Sequence, residues 1–136
     1  MNDLQSKVQL LQKKIVELKK MVFVGDVTWE SVSFGNWGVG ETKIISDCIN
    51  FKFFESDDVM SFFTEIPPKG EFNGHKHSEF DETNFVLEGV YIDRRGEKYR
   101  GEWIDYSAGT YHWVVNPSKT EWLKLIVVFS KKKIKS

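Results

Sequence analysis

Two hydrophobic periods divide this chain, one over residues 1–24 and another over residues 25–136. In the first stretch Leu4, Val8, Leu11, Ile15, Leu18 and Val22 recur at alternating spacings of four and three. That is the heptad seam of a helix that pairs with another helix. Leucine holds each d position and a β-branched residue each a position, a partition that favours two parallel strands and predicts a homodimer. Asn2 or Asp3 is placed to cap the helix start. Against pairing, Lys14 would face Lys19 of the second helix, so the alternative is an amphipathic helix lying on a folded body.

From about Val27 the pattern is short strands rich in Val, Ile, Phe, Tyr and Trp. The predicted strands are Val27–Phe34, Glu41–Ser46, Cys48–Glu55, Val59–Ile66, Glu71–His77, Asn84–Ile92, Lys98–Tyr106, Thr110–Val115 and Trp122–Ser130. Turn signals separate them, including Pro67-Pro68-Lys69-Gly70 and Asp93-Arg94-Arg95-Gly96, a hairpin tip where Gly96 supplies a positive φ. Many short strands at near-regular spacing predict an all-β sandwich or barrel.

Composition bounds this picture without changing it. A chain of 136 residues, 40% hydrophobic with 11 Phe and 5 Trp, suffices for one domain with one core. A formal charge of −1 offers no global field for nucleic acid or an anionic membrane. The lone Cys48 forms no intrachain disulfide, the start is polar, and no stretch reaches the roughly 20 apolar residues of a membrane span. These features predict a cytoplasmic protein. The basic run Lys131–Ser136 reads as a solvated terminus.

The candidate chemistry lies in the histidines, all three of which fall in two short segments. Neutral imidazole is the commonest metal ligand near neutral pH. His75 and His77 share one face of a strand by alternation, and His112 comes from a distant strand. A carboxylate from the loop that follows can complete three nitrogens and one oxygen; by charge alone Glu79, Asp81 and Glu82 compete for that place. With four such ligands an octahedral iron, manganese, nickel or cobalt ion keeps two positions open, whereas tetrahedral zinc is closed. Asn84 and Val86 share the parity of Glu82, and Val114 and Asn116 that of His112, so these point inward in regular strands. Asn84 there donates to a bound ligand or satisfies a barrel-rim amide. Tyr111 and Trp113 alternate outward, Phe62, Phe63 and Phe72 line the core or a cavity, and Cys48 is a small buried group or a redox neighbour of the metal.

The spacing His75-x-His77, four residues, Glu82, six residues, Gly89 resembles the first characteristic motif of the cupins at each metal-binding position. Gly101, five residues, Ser107-x-Gly109, two residues, His112, three residues, Asn116 resembles the second. Ser107 replaces the usual proline, and Gly70 sits one residue nearer to His75 than in the usual pattern. This resemblance implies a cupin β-barrel, a double-stranded β-helix of jelly-roll type, over residues 25–136. It selects Glu82 as the carboxylate and implies one divalent ion, iron, zinc, manganese or nickel, on His75, His77, Glu82 and His112. The run from Phe85 to Trp103 is similar to the cupin domain of ChrR-type anti-sigma factors and to small metal-dependent dioxygenases that cleave diketones. The resemblance therefore implies either a metal-dependent enzyme, of dioxygenase type, on a small organic molecule or a non-catalytic zinc sensor. One short helix does not supply the helical bundle of an anti-sigma factor.

Overall fold

In a computed structural model, residues 3–20, 23–39, 42–43 and 47–131 are described. Helix α1 spans Asp3–Lys20. The barrel begins with β1 (Phe23–Asp26), a short helix α2 (Trp29–Ser33) and a small ribbon, β2 (Gly38–Val39) with β3 (Thr42–Lys43). Then follow β4 (Ile49–Glu55), β5 (Val59–Ile66), β6 (Glu71–Lys76), β7 (Phe80–Glu88), β8 (Tyr91–Asp93), β9 (Gly96–Lys98), β10 (Trp103–Tyr106), β11 (His112–Val115) and β12 (Leu123–Lys131). Two five-stranded sheets, β1-β6-β11-β8-β9 and β10-β7-β12-β5-β4, share one core. Alternation on β12 and β7 sends Leu123, Leu125, Val127 and Phe129, with Phe80, Glu82, Asn84 and Val86, into it. The all-β class and the barrel expected from the strand pattern are both observed.

Several expected elements change. Val27–Phe34 is not a strand: Thr28, in extended conformation, accepts the Ser31 N–H and starts α2, which buries Trp29 and Val32. Asn84–Ile92 breaks at Gly89, whose φ of +92° and close approach to the Trp122 carbonyl (2.9 Å from an added Cβ) require glycine. Lys98–Tyr106 breaks where Gly101 takes a φ of +88°. The hairpin tip is as expected, with Asp93 opposite Gly96 at a φ of +118°. Of the expected strand Glu41–Ser46 only Thr42 and Lys43 are described; Val22 and the tail beyond Lys131 lie outside the described residues.

Trp37 lies against Phe62, Phe72 and Phe129, with ring centroids 5.1, 6.5 and 5.4 Å away, and stops one end of the barrel. Helix α1 lies outside the sheet that holds β6: Gln12 donates to Glu97 at 3.2 Å, and Gln9, Gln12 and Lys13 border Ile92 and Trp113. Leu4 and Leu11 of its seam stay exposed. Among the described residues no helix is long and apolar enough to cross a membrane.

Candidate metal centre

Simple alternation does not by itself bring His75 and His77 inward along with Phe72, because the parities differ. Across from β6, His112 pairs with His75 but Val114 pairs with Phe72, so β6 carries one extra residue between the two pairs. This bulge at Asn73-Gly74 switches the inward parity, and Phe72, His75 and His77 are all buried. Gly74 makes it possible: a Cβ there would sit 2.1 Å from the Tyr111 hydroxyl.

The four expected ligands converge. His75 and His112 rings lie 4.3 Å apart, His77 and His112 4.9 Å, and one donor atom from each of His75, His77, Glu82 and His112 lies within 4.8 Å of the others. None of the four is more than 4% exposed. Glu79 and Asp81 face away from the cluster: Glu79 accepts the Trp29 N–H and Asp81 the Ala108 N–H. They follow the outward parity of β7, on which Phe80, Glu82 and Asn84 point in.

Each imidazole is oriented from behind. Nδ1 of His75, His77 and His112 meets the carbonyls of Asn73, Phe80 and Thr110 at 2.6, 2.8 and 3.1 Å. A carbonyl only accepts, so each Nδ1 carries a proton and Nε2 is turned to the centre, where that of His77 donates in addition to Glu82. Two rings are also clamped by stacking, His77 on Phe80 (4.2 Å, 8°) and His112 on Tyr106 (4.0 Å, 11°). Tyr106 is held in turn: its hydroxyl donates to Asp93 at 2.6 Å and meets Tyr91 at 2.5 Å, and Arg95 pairs with Asp93 beneath its ring. Sequence reasoning missed Phe80, Tyr106 and the Tyr91–Asp93 pair; the register that sets Tyr106 opposite Glu82 carries the only signal, and it is long-range.

Electrostatics match this arrangement. Burial, then the neighbouring His112, pushes His75 down to about 3, so its ring is neutral. His77 moves the other way: burial opposes its charge, but the Glu82 hydrogen bond and charge raise it. For Glu82 burial pushes upward and is outweighed by His112 and His77, leaving the carboxyl well below the usual range. Glu82 Oε1 lies 3.0 Å from His77 Nε2, and Oε2 takes a 2.6 Å bond from Asn84 Nδ2. Asn84 thus holds the carboxylate, a role that neither expectation named. His112 Nε2 is 3.4 Å from Oε1, and this buried nitrogen has no hydrogen-bond partner. A buried nitrogen with no hydrogen-bond partner, beside two more imidazoles and a carboxylate, is what a divalent cation would satisfy. The residues present fit such an ion.

Other candidates sit elsewhere. Asn116 is buried, but its amide donates to the carbonyls of Ile66, Pro67 and Glu121, tying loops together. Phe63 faces outward at 42% exposure, whereas Phe62 and Phe72 are core. Trp113 packs outside the barrel beside α1, and Cys48 is half-buried in the wall of a 300 Å³ cavity with Trp37, Asn50, Lys52 and Phe62.

No family model matches the chain, and no curated protein matches it in sequence. Solved structures do match. A cupin domain from Bordetella pertussis Tohama I is 25% identical, with a TM-score of 0.50 over 63% of this chain and 94% of that one. KdgF from a Halomonas species is 16% identical (TM-score 0.57), over 63% of this chain and 80% of its own. The complex of Rhodobacter sphaeroides SigE with the anti-sigma ChrR is 14% identical (TM-score 0.51), and the match spans 61% of this chain but 43% of that one.

Proposed function

The chain has the cupin fold, a double-stranded β-helix, and on that frame we propose that it binds one divalent metal ion through His75, His77, Glu82 and His112 and serves as a small metal-dependent enzyme of dioxygenase type. One observation carries the metal: three rings, each anchored at Nδ1 by a carbonyl, aim Nε2 at one buried carboxylate. A bound ion supplies Lewis-acid polarisation of a substrate oxygen and, where the metal is redox-active, electron exchange with O₂.

The chain itself supplies orientation and dryness. The carbonyls, Phe80 and Tyr106 fix the rings, Asn84 fixes Glu82, and the Phe62, Phe72 and Phe129 side of the barrel excludes water. A small organic substrate suits this site: a cavity of 220 Å³ is lined by His112 itself with Tyr106, Thr110 and Tyr111, whereas the 300 Å³ cavity beside Trp37 touches none of the four ligands. The 220 Å³ cavity lies below the roughly 300–1,000 Å³ of drug-sized ligand pockets, which restricts it to a small molecule.

A second reading, a zinc-holding sensor, is favoured by the burial of all four donors, which suits a closed tetrahedral ion. Metal analysis of protein purified without added metal, paired with O₂ uptake on a panel of small diketones, separates the two. Iron with uptake supports the enzyme; tightly held zinc without uptake supports the sensor. A folded chain that stays metal-free when offered iron, manganese, nickel and zinc overturns both. The proposal also keeps α1 as a self-association element, because Leu4 and Leu11 are 69% and 59% exposed while its glutamines face the barrel.

A further inference from the structure

Helix α1 and the barrel do not close fully on each other. Between them lies a cavity of 260 Å³, walled by Gln9, Gln12 and Lys13 of α1, the β8–β9 hairpin tip from Ile92 to Gly96, and Trp113 of β11. The polar groups of this wall are unbalanced toward donors. Asp93 is its one carboxylate and is already committed: it accepts the Arg95 backbone N–H at 2.8 Å, the Arg95 guanidinium at 3.2 and 3.3 Å, and the Tyr106 hydroxyl at 2.6 Å. That pairing also answers the charge of Arg95. Gln12 gives its amide to Glu97. Lys13 and Arg94 are both exposed, and neither forms an ion pair or hydrogen bond among the described residues. Trp113 adds a further donor: it is 1% exposed, and its indole N–H is buried without a hydrogen-bond partner. A buried tryptophan N–H ordinarily finds an acceptor, and one left unmet is costly.

We infer that this cavity is a binding site for a small oxyanion, a carboxylate or phosphate group that accepts the Trp113 N–H and lies between Lys13 and Arg94. An oxygen acceptor satisfies the orphaned donor, which a cation or an apolar molecule would leave unmet. Charge points the same way, with three cations in the wall against one carboxylate. The planar fork of an arginine meets either group with two parallel N–H bonds, and a lysine adds a point charge. Because Lys13 belongs to α1 and Arg94 to the barrel, the anion ties helix to sheet beside the Gln12–Glu97 bond. The site does not depend on the metal reading, since its wall contains none of the four ligands. Arg94 also borders the cavity that His112 lines, whereas Lys13 does not.

The test follows the indole N–H by nuclear magnetic resonance. Full-length chain, isotope-labelled on nitrogen, is titrated with inorganic phosphate and separately with succinate, at ionic strength held constant with chloride. The Trp113 indole resonance, assigned by its loss in Trp113→Phe, is expected to move to higher frequency and saturate with at least one of the two. Saturation by phosphate assigns a phosphate group, and saturation by succinate a carboxylate. Lys13→Gln and Arg94→Gln, both at exposed positions, are expected to weaken binding about threefold each and about tenfold together, with an unchanged circular dichroism spectrum. An anion held at the metal centre instead would leave Lys13→Gln titrating like the parent, and that result overturns the inference. So does a Trp113 resonance that neither anion brings to saturation, or a dissociation constant unchanged in the double variant.

Discussion

Replacing Asn84 by alanine isolates what holds the carboxylate of the metal centre. Asn84 is 1% exposed and gives Glu82 Oε2 a bond of 2.6 Å, while His77 occupies Oε1. Its loss leaves one oxygen of a buried anion without its donor. Removing a hydrogen bond to a charged group costs about 1.5–3 kcal/mol. A separate route gives the same size: loss of a partner that orients a metal ligand weakens binding about 10–100-fold, or about 1.4–2.7 kcal/mol. The assay is zinc competition against a chromophoric chelator, for the parent and for Asn84→Ala. The expected result is one ion per chain in both, with the dissociation constant raised 10–100-fold. Thermal melts of the metal-stripped proteins separate a site effect from simple destabilisation, since a site effect enlarges the gap between metal-free and metal-loaded shifts. Asn84→Asp adds a diagnostic: a second carboxylate beside Glu82 destabilises the metal-free chain and does so less once a divalent cation is present. A dissociation constant for Asn84→Ala within about twofold of the parent would refute the reasoning, because a partner worth so little orients nothing.

Three further outcomes follow from the same geometry. His77→Ala is expected to abolish stoichiometric metal binding, and unchanged occupancy by metal analysis removes His77 from the site. Tyr106→Phe keeps the stack on His112 but takes the hydroxyl from Asp93 and Tyr91; it is expected to cost about 1–3 kcal/mol in denaturant melts while leaving one ion per chain, and an unchanged midpoint counts against the network. The metal-stripped chain is expected to lose stability on acidification from pH 6.5 toward about pH 3, because unfolded His75 takes up a proton that the buried ring refuses. Glu82, held well below 4.5, acts in the same sense, its contribution present above 4.5 and lost as pH falls. His77, raised above 6.5, stays constant in that window, its contribution full below 6.5 and lost only as pH rises through its folded value. A metal-free stability that is flat or rising as pH falls through that window contradicts the burial of a neutral His75.

The strands that the sequence declares are those with a full run of alternation between turns. Val59–Ile66 coincides with β5 to the residue, bounded by Asp57-Asp58 and Pro67-Pro68. Failures cluster where one residue redirects the backbone. Trp29 and Val32 are three apart, a helical spacing, but α2 is only five residues long and too short to show a period against the surrounding strand formers. Phe62 and Phe63 cannot both face the core of a regular strand, and the exposed one, Phe63, lies opposite Phe51 on the outer face of the sheet.

The choice of Glu82 over Glu79 and Asp81 shows how such an error travels into the site. With a strand begun at Asn84, all three acids precede it and only the cupin resemblance separates them. The observed strand begins at Phe80, and alternation from that aromatic puts Glu82 inward and Asp81 outward with no appeal to any relative. The signal was therefore local and was obscured by a strand boundary four residues late. His75 and His77 present the opposite case. Their shared face is legible, but that it is the same face as Phe72 depends on the bulge at Gly74. That bulge is set by the pairing with β11 and by the Tyr111 hydroxyl, both more than thirty residues away. Ligand identity was thus available in the primary structure, whereas inward direction relied on a pairing that only the closed barrel supplies.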